Sequence, residues 1–386
     1  MKLIPLSLCA VLFFSCSKNH NAVQTKTFTS LQISYALQFA VRSLTDGYLP
    51  QDLGINSNAV LMAENETEAL AEYKKALDIL FARDELTLRM RTFFVAQLYG
   101  DITGPFLPRR AGEMAAAIFK DRLSMDQIFL SQDTVADDGT WTDYGAADYP
   151  SVDLTPRGKR AGVLSDPYVA KKLNATLSHF PAVRDHLKWA LCKLVSEEYP
   201  NFQRWEAQKL ANPWKTGAGC PTCHSLMQPL RGAYHHYGVN GEWIDTVAEA
   251  ETWGSSPGQA AEPHDSNGNT LPNRLDHYVI FEGKPPVLDP YTLSTQLLEQ
   301  YPDDVDRCMV SRLANIALGI VTETAGEQWV QPHLFRTNVE SENYIRKAVD
   351  LYRLKEKIGP DFLKEFLLDK ELYLTIVTSE ISTEEP

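Results

Sequence analysis

The sequence lacks any long hydrophobic run after its first 14 residues, since no later segment stays apolar for 18 residues. We therefore expect no membrane-spanning helix beyond the N-terminus. It also lacks an excess of positive charge, with 37 Lys and Arg against 50 Asp and Glu and a net charge of −13. Because nucleic acid is a polyanion, this balance argues against a nucleic-acid partner and favours a basic protein or a positively charged surface.

Common catalytic signatures are missing as well. The sequence contains no GxSxG, HExxH or Walker-type motif, and it has no internal repeat. It does contain 386 residues, of which 44% are hydrophobic and 23% are charged. A chain of this size and composition can form a large core or two domains.

The first 15 residues predict a lipoprotein signal peptide. Lys2 supplies a positive start, and the apolar stretch from Leu3 to Phe14 is too short to span a bilayer. The following "LFFSC" resembles a bacterial lipobox, which implies cleavage before Cys16 and a lipid on its thiol. An ordinary secretory signal cut nearby is the alternative. Either interpretation predicts export, and the lipobox predicts a protein anchored on the periplasmic side of the outer or inner membrane.

Cysteine is scarce, with six residues in the whole chain, and two of these lie within the first 16 residues. The other four are Cys192, Cys220, Cys223 and Cys308. Cys220 and Cys223 form a pair by their spacing. In an oxidising compartment Cys192 and Cys308 could be joined in a disulfide or remain buried thiols, and the sequence leaves both possibilities open.

Hydrophobic periodicity predicts a mainly α fold. We expect a polar tether over 16–28, a helical domain over 29–205 and a helical, loop-rich domain over 206–386. The two irregular stretches are 131–158 and 244–292, with a short strand at 277–283. The predicted helices cover 30–44, 66–83, 84–100, 110–123, 166–177, 181–199, 293–301, 304–319, 342–358 and 361–377.

The pentapeptide Cys220-Pro221-Thr222-Cys223-His224 has the pattern of covalent haem attachment. Two thiols separated by two residues can add to the two vinyl groups of one haem, and the adjacent imidazole can bind its iron. A thioredoxin-type pair would require a βαβ context, which the preceding sequence does not show. A zinc site would require two further ligands at matching spacing. We therefore predict one covalently attached haem c, held by Cys220 and Cys223 with His224 as the proximal ligand.

The stretch "CPTCHSLMQPLRGAYHHYGVNGEW" resembles the start of a C-terminal domain in an uncharacterised group of cytochrome-c-like proteins. That group has the pattern CxxCHxxxDPxGFxLENFDxxGxW, and similarity resumes at 297–319 and 344–373. The resemblance covers residues 214–376 and implies a c-type cytochrome without implying a particular reaction. The departures from the pattern are Gln228 for Asp, Arg231-Gly232 for Gly-Phe, and His235-His236 for Glu-Asn.

The sixth iron ligand is less clear from the sequence. Met309 is the first candidate, although it lies in an apolar helical pattern that also fits core packing. Met227 follows His224 by three residues, which should place it on the proximal side of the ring. The remaining candidates are histidines, namely His235, His236, His264 and His277.

Aromatic residues flank the motif and are candidates either for walls of the haem pocket or for ordinary core packing. They are Trp214, Tyr234, Tyr237 and Trp243.

These predictions describe an exported, lipid-anchored monohaem cytochrome that exchanges electrons with an exported redox partner protein. Two alternatives remain open from the sequence. One is a peroxidase-type haem enzyme that would use His235 or His236 as its distal acid–base group. The other is a scaffold lipoprotein without haem, in which Cys220 and Cys223 form a plain disulfide.

Overall fold

The computed structural model describes ten segments of the chain. They comprise residues 27–99, 109–135, 140–143, 155–166, 180–192, 230–234, 236–237, 241–243, 279–319 and 339–379. Within these segments the fold is mainly α, as predicted, with twelve α-helices and a single pair of very short strands.

The N-terminal half of the described chain contributes seven α-helices. They are α1 (Ser30–Leu44), α2 (Ser57–Leu61), α3 (Glu66–Phe81), α4 (Asp84–Tyr99), α5 (Arg109–Lys120), α6 (Gln127–Leu130) and α7 (Phe180–Leu191). The C-terminal half contributes five more. They are α8 (Pro290–Gln300), α9 (Pro302–Ala317), α10 (Val339–Leu354), α11 (Gly359–Leu368) and α12 (Thr375–Ser379).

Helix starts are encoded by local sequence. The Thr29 side chain caps α1 by accepting from the backbone N–H of Gln32. The Gln32 side chain accepts in turn from the backbone N–H of Thr29, which completes a capping box. Asp289 caps α8 through the N–H of Thr292, and Pro290 occupies the first helical position. Proline is favoured there because its fixed φ suits a helix and its missing N–H would have no partner within the helix.

Helix α9 lies at the centre of the described fold. It packs against α1, α7, α8, α10 and α11. All of its residues from Cys308 to Ala317 are buried. A helix buried around its whole circumference must have its polar side chains paired or placed for a ligand.

Strands contribute little to the described fold. Strands β1 (Thr134–Val135) and β2 (Trp141–Thr142) pair antiparallel within the stretch that we predicted to be irregular. Nearby, Gly162 has φ +50°, and a Cβ atom there would lie 2.0 Å from the carbonyl oxygen of Ile128. Only glycine permits this close approach, which holds the 3₁₀ turn Gly162–Ser165 against α6.

Helices from the two predicted domains share one buried core. Helix α1 packs on α9 and α12, and α3 packs on α11. The Tyr73 hydroxyl donates to the Leu367 carbonyl at 3.1 Å, and the Tyr373 hydroxyl donates to the Ala36 carbonyl at 3.2 Å. The predicted boundary between residues 205 and 206 lies outside the described residues and stays a prediction.

Two predicted elements differ from the structure. Residues 279–283 form a bend and turn instead of the end of a strand. The helix predicted over 361–377 is divided by Asp369, whose extended backbone ends α11 and whose side chain accepts from the N–H groups of Glu371 and Leu372. A short π-helix, Lys370–Leu374, then leads into α12. None of the helices described is both long and apolar enough to cross a membrane.

Candidate functional site

Most of the residues predicted to attach the lipid or to bind the haem fall outside the described part of the chain. This is the case for Cys16, for Cys220, Cys223 and His224, for Met227 and Trp214, and for three of the four candidate histidines, His235, His264 and His277. The structure does describe the residues that follow the motif, at 230–234, 236–237 and 241–243.

The segment that follows the motif is docked into the protein core. Leu230, Ala233 and Tyr234 are completely buried, and the 3₁₀ turn Arg231–Tyr234 packs on α7 and α8. Leu230 follows His224 by six positions, and six extended residues span at most about 22 Å. Covalent connectivity therefore limits the distance between His224 and this part of the core.

His186 links this segment to two helices. Its Nδ1 lies 2.9 Å from the hydroxyl oxygen of Tyr234, and its Nε2 lies 3.0 Å from the hydroxyl oxygen of Ser294 on α8. The ring is fully buried, and burial lowers the pKa of His186 to about 3. The imidazole is therefore neutral, so it accepts one hydrogen bond and donates the other.

Aromatic rings continue from Tyr234 in an unbroken series. The centroids of Tyr234 and Tyr237 are 5.8 Å apart, and those of Tyr237 and Trp243 are 5.3 Å apart with an edge-to-face arrangement. The hydroxyl of Tyr237 lies 2.6 Å from that of Thr155, and burial raises the pKa of Tyr237 to about 12. These ring contacts pack the segment that follows the motif into the core.

His236 is the candidate histidine that the structure describes. Its ring stacks on Trp243 with centroids 4.6 Å apart and an interplanar angle of 16°. Lys159 lies over the same indole, 5.1 Å from its centroid. Burial raises the pKa of Asp289 in this cluster, while its bonds from Thr292 and the charges of Lys159 and His236 oppose that rise. His236 is 9% exposed, so its ring is packed between other groups.

Cys192 and Cys308 form a disulfide, which decides the question that the sequence left open. The bond joins the residue that directly follows α7 to the buried face of α9. The loop that it closes spans 116 residues and includes the CxxCH motif. The two helices are therefore tied together beside the segment that follows the motif.

Arg312 lies one helical turn beyond Cys308 and is 3% exposed. Its Nη1 donates to the Trp189 carbonyl at 2.6 Å and its Nη2 to the Lys188 carbonyl at 3.1 Å. The guanidinium carbon stands 4.3 Å from the centroid of the Trp189 indole. Its Nε–H has no hydrogen-bond partner among the described residues.

Met309 belongs to the same buried helix and is 3% exposed. It packs into the main hydrophobic core. Burial of this kind is expected both for a core methionine and for a distal ligand of a shielded iron. Because His224 lies outside the described residues, Met309 stays a prediction as the sixth ligand.

Tyr234, Tyr237, Trp243 and Arg312 are all buried among the described residues. Within the described segments, no cluster of three or more His, Cys, Asp or Glu side chains is arranged to hold a metal ion.

Sequence reasoning did not single out His186 or Arg312. Each has the appearance of an ordinary polar residue in an amphipathic helix, and their partners are 48 to 124 residues away in the chain. No local pattern could have identified them, because their burial depends on how α7 and α9 pack.

No protein-family model, curated protein or solved structure matches this chain. The resemblance of residues 214–376 to cytochrome-c-like proteins therefore remains a prediction from the motif and its flanking residues.

Proposed function

We propose that this chain is an exported, lipid-anchored c-type cytochrome with one haem, and that it exchanges electrons with an exported redox partner protein. The observation that carries this proposal is the pentapeptide Cys220 to His224, which has both thiols and the imidazole at the spacing that covalent haem requires. The bound iron would supply a one-electron couple between the ferrous and ferric states.

Attachment uses only groups present in the motif and the vinyl substituents. Cys220 and Cys223 would hold the haem through two thioether bonds, in which each thiol adds across one vinyl double bond and its hydrogen goes to the neighbouring vinyl carbon, so the addition needs no oxidant or reductant. His224 would supply an imidazole nitrogen to the iron.

The described surroundings support a shielded electron carrier. Tyr234, Tyr237 and Trp243 follow the motif in the chain and are buried, and burial raises the pKa values of both tyrosine hydroxyls. A low-polarity setting limits the rearrangement that accompanies a change of iron charge and tunes its potential.

The proposal of export is supported by the disulfide between Cys192 and Cys308. Structural disulfides persist in oxidising compartments such as the bacterial periplasm and are rare in the cytosol. The lipid on Cys16 would hold the protein at a membrane surface. The acidic balance of the chain, with a net charge of −13, favours a redox partner that presents a basic surface.

The test is production of the full chain in a host that matures c-type cytochromes, followed by a pyridine haemochrome spectrum. We expect a c-type α-band that resists acid-acetone extraction in the wild type. Cys223→Ser should lose the thioether bond at position 223, because serine has no thiol. Only the bond from Cys220 could then form. Thr222→Ala is the matched control, since it changes the spacer and keeps both thiols and His224.

The outcomes separate the three candidate functions. A six-coordinate, low-spin spectrum that is unaffected by cyanide supports electron transfer. A five-coordinate iron that binds cyanide and reacts with peroxide would replace that function with the peroxidase type, for which His236 is the described distal candidate. A colourless wild-type protein with Cys220 and Cys223 joined would leave the scaffold lipoprotein and refute the proposal.

A further inference from the structure

A cavity of about 450 Å³ lies where helices from the two halves of the described fold meet. From the N-terminal half it is lined by the junction of α3 and α4 and by the end of α5, and from the C-terminal half by residues around the start of α11. All of its lining residues belong to the described segments. Its volume is within the range of pockets that bind small organic molecules.

The lining of this cavity is basic, although the protein as a whole is acidic. It contains five basic side chains and three acidic ones, while the whole chain has a net charge of −13. The basic residues are Arg83, Lys120, Arg122, Lys355 and Lys364. They come from three separate stretches of the chain, so the fold creates a local excess of positive charge that attracts anions.

Two of the five cations have no carboxylate partner among the described residues. Lys120 is exposed and unpaired there, and Arg83 donates to the neutral carbonyl group of Leu53. The other three form ion pairs, which are Arg122–Asp361 at 2.6 Å, Lys355–Glu365 at 3.2 Å and Lys364–Asp78. The third carboxylate of the lining, Asp84, lies in the first turn of α4, where the helix dipole stabilises it. An anion in the cavity would therefore meet two cations that no described carboxylate neutralises.

The inner side of the cavity is apolar and closely packed. Leu86, Phe119 and Pro360 line it and are buried. A Cβ atom at Gly359 would lie 2.9 Å from the ring of Phe119, so glycine permits α11 to begin this close to α5. The cavity therefore combines a fixed apolar floor with a more exposed basic rim.

We propose that this cavity binds a small organic phosphate, whose phosphate group lies on the basic rim and whose apolar portion lies on the floor. A phosphate monoester carries nearly two negative charges at neutral pH and has three terminal oxygens, so it can accept from cations that approach from several directions. A carboxylate has one charge and two oxygens in one plane, which suits a single guanidinium. The placement of the rim cations on three separate stretches of the chain favours the phosphate.

The test is calorimetric titration of the full chain with phenyl phosphate, which joins a phosphate group to an apolar ring. Three related compounds separate the contributions, because inorganic phosphate lacks the ring, phenol lacks the charge, and benzoate carries a carboxylate instead. We expect phenyl phosphate to bind with a dissociation constant below about 1 mM and more tightly than the other three compounds. Its binding should weaken as salt is added, because the rim is exposed to solvent.

Two variants examine the rim directly. Lys120→Gln removes one charge without breaking an ion pair of the described segments, and Ala82→Glu adds a carboxylate to the lining. Each should weaken the binding of phenyl phosphate about fivefold, as expected for one ion pair near the surface.

Arg42→Gln is the matched control. Like Lys120, Arg42 is an exposed cation in the last turn of its helix and has no carboxylate partner among the described residues, but it does not line the cavity. Its replacement should leave the dissociation constant of phenyl phosphate unchanged.

Failure of phenyl phosphate to bind the wild type, or equal binding by the wild type and both rim variants, would overturn this inference. An equal loss of affinity in Arg42→Gln would do the same, because the net charge of the protein would then explain the effect. Tighter binding of benzoate than of phenyl phosphate would show a carboxylate site and overturn the assignment to phosphate. Because none of the predicted haem residues lines the cavity, each of these results would leave the proposed function intact.

Discussion

His186 is a buried histidine whose two ring nitrogens both have hydroxyl partners, Tyr234 and Ser294. Either hydroxyl can donate or accept, so burial decides the charge: the imidazolium would lose its hydration in the core, which favours the neutral ring. The lowered pKa follows from desolvation. His186 therefore makes the stability of the protein depend on pH, and its sequence neighbours give no sign of this.

We predict that acid destabilises the protein partly through His186. Its pKa is about 3 in the folded protein and about 6.5 once the chain unfolds, so between these values the unfolded state binds one more proton. The free energy of unfolding should therefore fall by about 1.4 kcal/mol for each pH unit below about 6 through this residue. Urea denaturation at pH 7, 6 and 5 measures this slope, and His186→Gln should have a shallower one.

Tyr234→Phe serves as the control for that prediction. It removes one hydrogen bond of His186 but keeps the aromatic ring and the burial, so the pH slope of the wild type should persist. Equal slopes in wild type and His186→Gln would show that the histidine is not the source.

At the scale of residues, some of the site residues could be predicted from the sequence and others could not. Cys220, Cys223 and His224 could be predicted because covalent attachment requires adjacent groups in a fixed order. Arg312 and His186 could not, because their partners belong to helices far away in the chain. Burial of a polar side chain depends on packing between helices, and periodicity reports only which face of a helix is apolar.

At the scale of elements, local signals predicted most of the described helices to within a few residues of their bounds, while the short helices α2 and α6 were not predicted. The predicted helix 30–44 has those bounds in the structure, since Thr29 and Gln32 form its cap. The division of the predicted helix 361–377 was missed because its apolar spacing continues through Asp369, whose carboxylate instead caps the turn that follows. Capping by a mid-helix aspartate competes with helix continuation, and spacing alone cannot show which prevails.

The disulfide between α7 and α9 leads to a prediction about stability. The bond closes a loop of 116 residues, and the chain-entropy model assigns such a loop about 4 to 5 kcal/mol of stabilisation. We expect the double variant Cys192→Ser/Cys308→Ser to lose stability of this order in chemical denaturation. In dithiothreitol the wild type should fall to the level of the variant, while the variant itself should not change.

Alkylation of denatured, unreduced wild type provides an independent check of the same pairing. Cys192 and Cys308 should resist the reagent until a reductant is added, as peptide mass spectrometry can show. Alkylation of both residues before reduction would contradict the disulfide.

At the scale of the whole molecule, the N-terminal and C-terminal helices stabilise each other through shared contacts. The sequence predicted two helical domains because the helical pattern is interrupted between residues 205 and 215. In the structure, the Tyr73 and Tyr373 hydroxyls donate to carbonyls of the opposite half, and α1 packs on α9. Interlocked helices of this kind bury apolar surface that either half would expose alone.

We therefore predict that the helices of both halves unfold in one cooperative step. Leu367→Ala, in the core between α11 and α3, should cost about 2 to 5 kcal/mol. Leu354→Ala is the matched control, since this leucine is 76% exposed. Hydrogen exchange with mass spectrometry measures protection in α1 and α3 as well as in α10 and α11.

A core cavity in one half should lower protection in both halves by the same amount, because exchange in the most protected helices requires opening of the whole cooperative unit. Leu367→Ala should therefore weaken α1 as much as α11, although α1 lies more than 300 residues earlier in the chain. A loss confined to α10 and α11, with α1 and α3 unchanged, would show that two domains unfold separately. In that case the boundary near residue 205 would separate two units that unfold independently. The contacts between the halves would then be those of two docked domains.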